Sequence, residues 1–289
     1  MGYQPQNLKV VVIDDSPIMR EALCGMLAAL GFTQVSQYAS GLFAAGELAE
    51  DFTQLVICDF LMEPVNGLDV LKMFRTHKKP KLASVPFILM SAVRDADMVA
   101  QSYFAGCSEF ILKPFAPETL MTRLKAALSK SDQFVLTDSR DGGEPGLSLE
   151  IAARIKARGQ TALPVKSIEV EFPSDEAPVQ QAQRHLKAIS PAYLTELSAH
   201  LKEMEQDLDW ARSNLLDQHC FKNLFAHAHS IKGAALMFDH ESIGRIADDL
   251  SRLMRRGFKD PAYIDQNSKT LLPAIAAQVA AMRDAMGHH

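Results

Sequence analysis

The chain has 289 residues, 47% hydrophobic and 22% charged, with a formal net charge of −5. That length accommodates two domains, and that composition suits packed globular cores rather than a disordered or fibrous chain. The mild acidity gives no electrostatic basis for binding nucleic acid or an anionic membrane, and no apolar run reaches the length of a membrane span.

No basic-then-apolar signal segment follows Met1. Cys24, Cys58, Cys107 and Cys220 are scattered, with no C-x-x-C pair. They read as free thiols in a reducing cytoplasm rather than as disulfides or a zinc site. Apolar, β-branched-rich runs at 8–13, 34–38, 54–58, 85–90 and 109–112 predict strands. Helix-length segments near 17–30, 41–50, 67–76, 95–105 and 116–130 alternate with them. Ser16 followed by Pro17 reads as a helix N-cap with proline at the first helical position. Five buried strands alternating with helices predict an α/β domain over 1–130, a doubly wound parallel sheet covered on both faces.

In such folds chemistry gathers at the carboxyl ends of the strands. Asp14, Asp15, Asp59, Ser91 and Lys113 all fall there. Converging carboxylates repel one another unless a cation intervenes, and oxygen-only ligands favour Mg²⁺. Asp59 can then act as ligand and nucleophile, Lys113 can pair with a phosphoryl oxygen, and the Ser91 hydroxyl can hydrogen-bond another. Phosphoryl transfer needs this positioning and charge neutralisation.

Residues 8–130 therefore resemble a response-regulator receiver domain. The resemblance implies a five-stranded flavodoxin-like sheet of order 2-1-3-4-5, an order of which a receiver is itself a known example. It implies Asp59 as phosphoacceptor and Asp14, Asp15, Asp59 and the backbone carbonyl of Leu61 as Mg²⁺ ligands. Ser91 and Lys113 become the phosphate-sensing pair, Phe110 the aromatic switch, and Lys113–Pro114 a cis peptide. The loop Asp59-Phe60-Leu61-Met62-Glu63-Pro64-Val65-Asn66-Gly67 departs from the family in having Glu63 where proline is common, and Phe110 lacks the hydroxyl of the frequent tyrosine.

From 131 the composition shifts, with the turn-rich run Asp141-Gly142-Gly143-Glu144-Pro145-Gly146 and prolines at 164, 173 and 178. Residues 131–185 read as a linker with a short helix at 149–157 and a strand at 168–172. Residues 186–286 read as helical throughout. Apolar positions step by three and four at Leu194, Leu197, Leu201, Met204, Leu208, Ala211 and Leu215, and at Phe221, Leu224, Ala228, Ile231, Ala235 and Phe238. They continue through Ile243, Ile246, Leu250 and Leu253, then Leu272, Ile275, Val279, Met282 and Met286. Four such helices predict an all-α antiparallel four-helix bundle. Residues 287–289 read as a tag remnant.

Within the second helix, about 100° per residue turns His229 away from the stripe of Leu224, Ala228 and Ile231, while His227 lies on its flank and reads as structural. His229 is then expected in solvent beside Lys222, Phe225, Lys232, Gly233 and Leu236. Lys232 can neutralise a phosphoryl group on the imidazole. Gly233 costs about 1 kcal/mol of helix propensity and clears space beside the ring. Phe225 and Leu236 on a wet face suggest a docking patch.

This half resembles a histidine-phosphotransfer (HPt) domain on His229-Ser230-Ile231-Lys232-Gly233, with Asp239 where the family often has glycine. Together the resemblances imply a two-component phosphorelay protein. Asp59 takes a phosphoryl group from an upstream sensor histidine kinase by self-catalysed transfer. His229 exchanges it with an aspartate, either Asp59 itself or that of a downstream or partner receiver. A phosphorylation-switched binding module, with the bundle as docking element or phosphate sink, is the alternative. A kinase is not expected, because no ATP-binding domain follows His229, and nothing after the receiver reads as a DNA-recognition helix.

Overall fold

A computed structural model of the chain describes residues 4–41, 53–62, 64–93, 95–129, 170, 176–214 and 216–287. They form two compact units divided between His185 and Leu186.

The first unit begins with a 3-10 turn at Pro5–Asn7 and strand β1, Lys9–Ile13. Helix α1, Pro17–Ala29, starts as its sequence dictates: the Ser16 hydroxyl accepts from the Met19 N–H at 3.2 Å, and Pro17 fills the first turn, where no amide is needed. Then come β2, Gln34–Tyr38; β3, Leu55–Asp59; α2, Gly67–Arg75; and the short α3, Pro80–Ala83. After them β4, Phe87–Ser91; α4, Ala96–Phe104; β5, Glu109–Leu112; and α5, Pro117–Ser129, complete the unit. The sheet order is β2-β1-β3-β4-β5, with every pairing parallel. β3 and β4 are buried at every position, while β2, at the edge, is mostly exposed. That is why the central strands read as unbroken apolar runs. The helix expected over 41–50 lies outside the described residues except for Gly41.

The parallel register brings all five strand ends to one edge. Ile13 pairs with Cys58, Asp59 with Met90, and Ser91 with Leu112. Residues that follow β1 and β5 thus meet the last residues of β3 and β4.

The second unit is a four-helix bundle made by the part of α6, Ala177–Asn214, that runs from Leu186 onward, with α7, Gln218–Met237; α8, Glu241–Lys259; and α9, Pro261–Met286. α6 starts inside the span expected as linker. The elements expected at 149–157 and 168–172 lie outside the described residues, apart from Val170, which forms an isolated bridge. Short caps set the turns: the Asp217 carboxylate accepts from Cys220 N at 2.8 Å, and that of Asp260 accepts from Ala262 N at 3.2 Å. The core holds Tyr193, Leu197, Leu201 and Met204 from α6, and Phe221, Leu224, Ala228 and Ile231 from α7. It adds Ile243, Ala247, Leu250 and Met254 from α8, and Ile275, Val279 and Met282 from α9. On α8 the buried stripe includes Ala247 and Met254, leaving Ile246 and Leu253 at its margin rather than at its centre. Arg283 of α9 clamps Glu205 of α6 with two hydrogen bonds, of 2.5 and 2.7 Å.

Candidate functional site

At the carboxyl edge of the sheet Asp14, Asp59, Ser91 and Lys113 are all buried, and Asp15 beside them is exposed. The Lys113 ammonium lies 2.9 Å from Asp14 Oδ2 and 2.6 Å from Asp59 Oδ1. Backbone amides hold the remaining carboxylate oxygens: Ser16 N donates to Asp14 Oδ1 at 3.0 Å, and Leu61 N donates to Asp59 Oδ2 at 3.1 Å. Arg20 of α1 donates to the carbonyls of Asp14 and Asp15, at 2.6 and 3.0 Å, and so fixes the chain where it leaves β1.

Burial pushes the Asp59 carboxyl up to about 7; Lys113 opposes this, and Asp14 and then Asp15 add to it. Burial alone would lower the Lys113 pKa, but Asp14 and Asp59 outweigh it and hold the ammonium charged. Asp14 and Asp59 flank the one ammonium and Asp15 lies close enough to act on Asp59, so the three carboxylates, counted as ionised, leave a formal excess of two negative charges at the pocket.

Ser91 Oγ accepts from Val93 N at 3.1 Å, and its backbone carbonyl accepts from Lys113 N at 2.8 Å, tying β4 to the residue after β5. The Lys113–Pro114 peptide is cis. Phe110 is buried, its ring 6.5 Å from that of Phe60 at a tilt of 58°. Glu63 lies outside the described residues.

Gly67 is a supporting residue whose role the sequence alone did not disclose. A Cβ there would stand 2.1 Å from the Asp59 carbonyl oxygen, and the Gly67 N–H donates to Phe60 O at 2.8 Å. The loop after Asp59 therefore folds back tightly enough that only glycine fits. Its place directly after the helix cap Asn66 was the available signal.

In the bundle, the structure corrects the expected exposure of α7. The predicted stripe of Leu224, Ala228, Ile231, Ala235 and Phe238 is buried, but so is the opposite side. His229 is 3% exposed, Phe225 is 4% exposed, Gly233 is buried, and Leu236 is half-buried. The cause is α8, which packs on the side expected to be wet. A Cβ on Gly244 of α8 would stand 2.6 Å from Leu236, and Lys232 Nζ lies 2.6 Å from Asp248 Oδ1. Phe225 is thus core rather than a docking residue, and Lys232 is already paired. Burial acts to raise the Asp248 carboxyl, but hydrogen bonds from Arg252 and Lys232 outweigh it and hold the group below its ordinary value.

His227 is the less buried of the two histidines and faces α6. Its Nδ1 is 2.9 Å from Nδ1 of His200. Burial, reinforced by His200 and opposed by Glu203, lowers its pKa to about 4, so the ring is neutral near pH 7.

Comparison with known proteins assigns both halves. The model of the response regulator receiver domain matches residues 10–125, and that of the Hpt domain matches 191–286. The chemotaxis protein CheY1 of Helicobacter pylori is 32% identical over 126 residues, which are 43% of this chain and 100% of that protein. The chemotaxis protein CheY-3 of Vibrio cholerae is 29% identical over 119 residues, 41% of this chain and 90% of that one. Among solved structures, the chemotaxis response regulator CheY4 of Vibrio cholerae matches at 24% identity and a TM-score of 0.39, covering 42% of this chain and 98% of that one.

Proposed function

This chain belongs to the response regulator receiver family and carries an Hpt domain in two-component phosphorelay signalling, and from that premise we propose Asp59 and His229 as its two phosphoacceptors. The observation that carries the receiver assignment is the buried Lys113 bridging Asp14 and Asp59 at the strand ends. Asp59 attacks the phosphorus of a phosphohistidine on an upstream sensor kinase. An O–P bond forms, the P–N bond breaks, and the imidazole leaves with the electron pair. Lys113 stays within reach of the new phosphoryl oxygens. The Ser91 hydroxyl, whose oxygen already accepts from Val93 N, turns its hydrogen to one of them. Phe110, packed against Phe60, is the buried ring whose shift would report phosphorylation.

The pocket suits a Mg²⁺ ion: its donors are all oxygen, and its formal excess of two negative charges matches a divalent cation. Asp14, Asp15, Asp59 and the Leu61 carbonyl would hold it, and it would neutralise charge on the transferring group. We place the receiver in 1–130 and the HPt domain in 186–286, with the first turns of α6, from Ala177, falling inside the intervening 131–185. Free thiols at Cys24, Cys58, Cys107 and Cys220 support a cytoplasmic setting, and none of the described helices is long and apolar enough to cross a membrane.

His229 accepts phosphate only after its ring turns outward, because at 3% exposure no partner aspartate reaches it. That same burial favours a second reading, in which the bundle docks a receiver without accepting phosphate. Labelling decides between them. The chain is incubated with a phosphorylated partner receiver, and acid-labile label is sought on the bundle of native protein and of His229→Gln. Label on the native chain that the variant lacks supports the relay, and its absence from both supports docking alone.

A further inference from the structure

Away from the acidic pocket, two imidazoles and a carboxylate meet between α6 and α7. His200 and Glu203 stand three residues apart on α6 and so share one face of that helix. His227 approaches them from α7. The facing Nδ1 atoms of the two histidines are 2.9 Å apart, and Nε2 of His227 lies 3.4 Å from Glu203 Oε2. One ligand atom from each of the three residues falls within 4.8 Å of the other two. The rings meet edge to face, 5.1 Å between centroids, and both are half-buried. Behind them Glu196 Oε1 lies 3.7 Å from Nε2 of His200, an atom with no hydrogen-bond partner among the described residues.

We propose that His200, Glu203 and His227 form a binding site for a borderline transition-metal ion of the Zn(II) class, bracing α6 against α7. Imidazole nitrogens select such ions over Mg²⁺ or Ca²⁺. Two histidines and a glutamate are a known three-ligand set for zinc, with a water in the fourth tetrahedral position. An ion bound at about 2.0–2.1 Å to both Nδ1 atoms holds them about 3.3 Å apart, so the rings part only slightly, and the exposed Glu203 side chain, now beside Nε2 of His227, swings to the ion. Glu196 stands where a carboxylate behind a metal-bound histidine orients the ring through its other nitrogen. Glu203 is the open side of the site, its side chain 60% exposed, so an ion enters from solvent without unfolding the bundle. Two residues along a helix is a turn of about 200°, which places His227 and His229 on opposite sides of α7. The metal site is therefore separate from the proposed phosphoacceptor and does not depend on it.

The test uses the full chain freed of metal and then given excess Mg²⁺, which occupies oxygen-only sites. Zn(II) is titrated in competition with a chromophoric chelator, and thermal unfolding is followed with and without it. The expected result is one tightly bound equivalent and a raised melting temperature. His200→Ala and Glu203→Ala should each weaken binding at least about tenfold, because losing a direct ligand costs no less than losing an outer partner, which costs about 10–100-fold. Cys24→Ser, which alters the least buried of the described thiols, should leave affinity unchanged. Because Glu203 is exposed, its variant keeps the test valid should removal of His200 unfold the bundle. Equal affinity in Glu203→Ala and native protein, or binding lost in Cys24→Ser instead, would overturn the proposal.

Discussion

The strand edge of the receiver and helix α7 of the bundle assemble their chemistry in opposite ways. The receiver pocket draws side chains from four places in the chain, Asp14, Asp59, Ser91 and Lys113, yet each sits where the sheet rules put it. The bundle's candidate residues all come from one helix between Phe225 and Leu236, and their environment differs from the one helical phase alone predicts. The end of a parallel strand is a discrete place, and once topology is known every strand end lies on one edge. A helix has no such discrete face. Its phase says which residues share a side, but not how many sides are covered.

Those properties set what the sequence disclosed. Strand and helix order, the Ser16 cap and the convergence of Asp14, Asp59, Ser91 and Lys113 were legible, because each follows from local pattern plus a topological rule. The burial of His229 was not. Phe225, Gly233 and Leu236 form a second stripe of apolar and small residues, which a single-stripe reading turned towards solvent. The signal lay on α8: Gly244 leaves room for Leu236, and Asp248 meets Lys232. Neither can be matched to α7 without knowing which helices pack. The His200–Glu203–His227 cluster was hidden for the same reason, since its ligands lie on two helices.

The largest expected effects come from the two proposed acceptors. Asp59→Asn should abolish labelling of the chain's receiver half by a small acyl phosphate, because among the described residues only Asp14 shares with Asp59 the contact with buried Lys113, and Asp14 is the proposed Mg²⁺ ligand. Label retained at the native level would break the receiver half of the comparison. In the bundle, His229→Gln should lose phosphate acceptance while His227→Gln keeps it. The reverse pattern in folded protein would show that the more exposed ring is the acceptor.

Phe225→Ala tests the corrected phase by stability rather than transfer. At 4% exposure the ring is packed, so truncation should cost about 3–5 kcal/mol, read as a lowered denaturant midpoint for the bundle. A loss below about 0.5 kcal/mol is what an exposed docking residue would give, and it would restore the outward-facing reading.

Two further positions show glycine mattering for different reasons, and the second of them carries the smallest effect. Gly67 has an ordinary backbone conformation but no room, so Gly67→Ala must push the Asp59 carbonyl away and should impair labelling at Asp59 as well as stability. Asp239 is the converse: φ is +63°, left-handed, at the turn between α7 and α8. The next residue's amide, His240 N, reaches back to Ala235 O at 2.8 Å, a helix-ending bond that requires a left-handed residue between. Glycine is the usual occupant, and aspartate tolerates the conformation better than most residues do. Asp239→Gly removes the strain but gives the unfolded chain more freedom, worth about 0.4–1 kcal/mol in the opposite direction. The two nearly cancel, so its midpoint should move by less than about 1 kcal/mol. Asp239→Val gains nothing in the unfolded state and keeps a β-branched side chain in the left-handed region, so it should lose about 1–2 kcal/mol. Measured side by side, glycine near neutral and valine clearly destabilising would place the demand at Asp239 in backbone conformation. Equal losses from both would place it in the carboxylate, and the turn would then be held by side-chain hydrogen bonding instead.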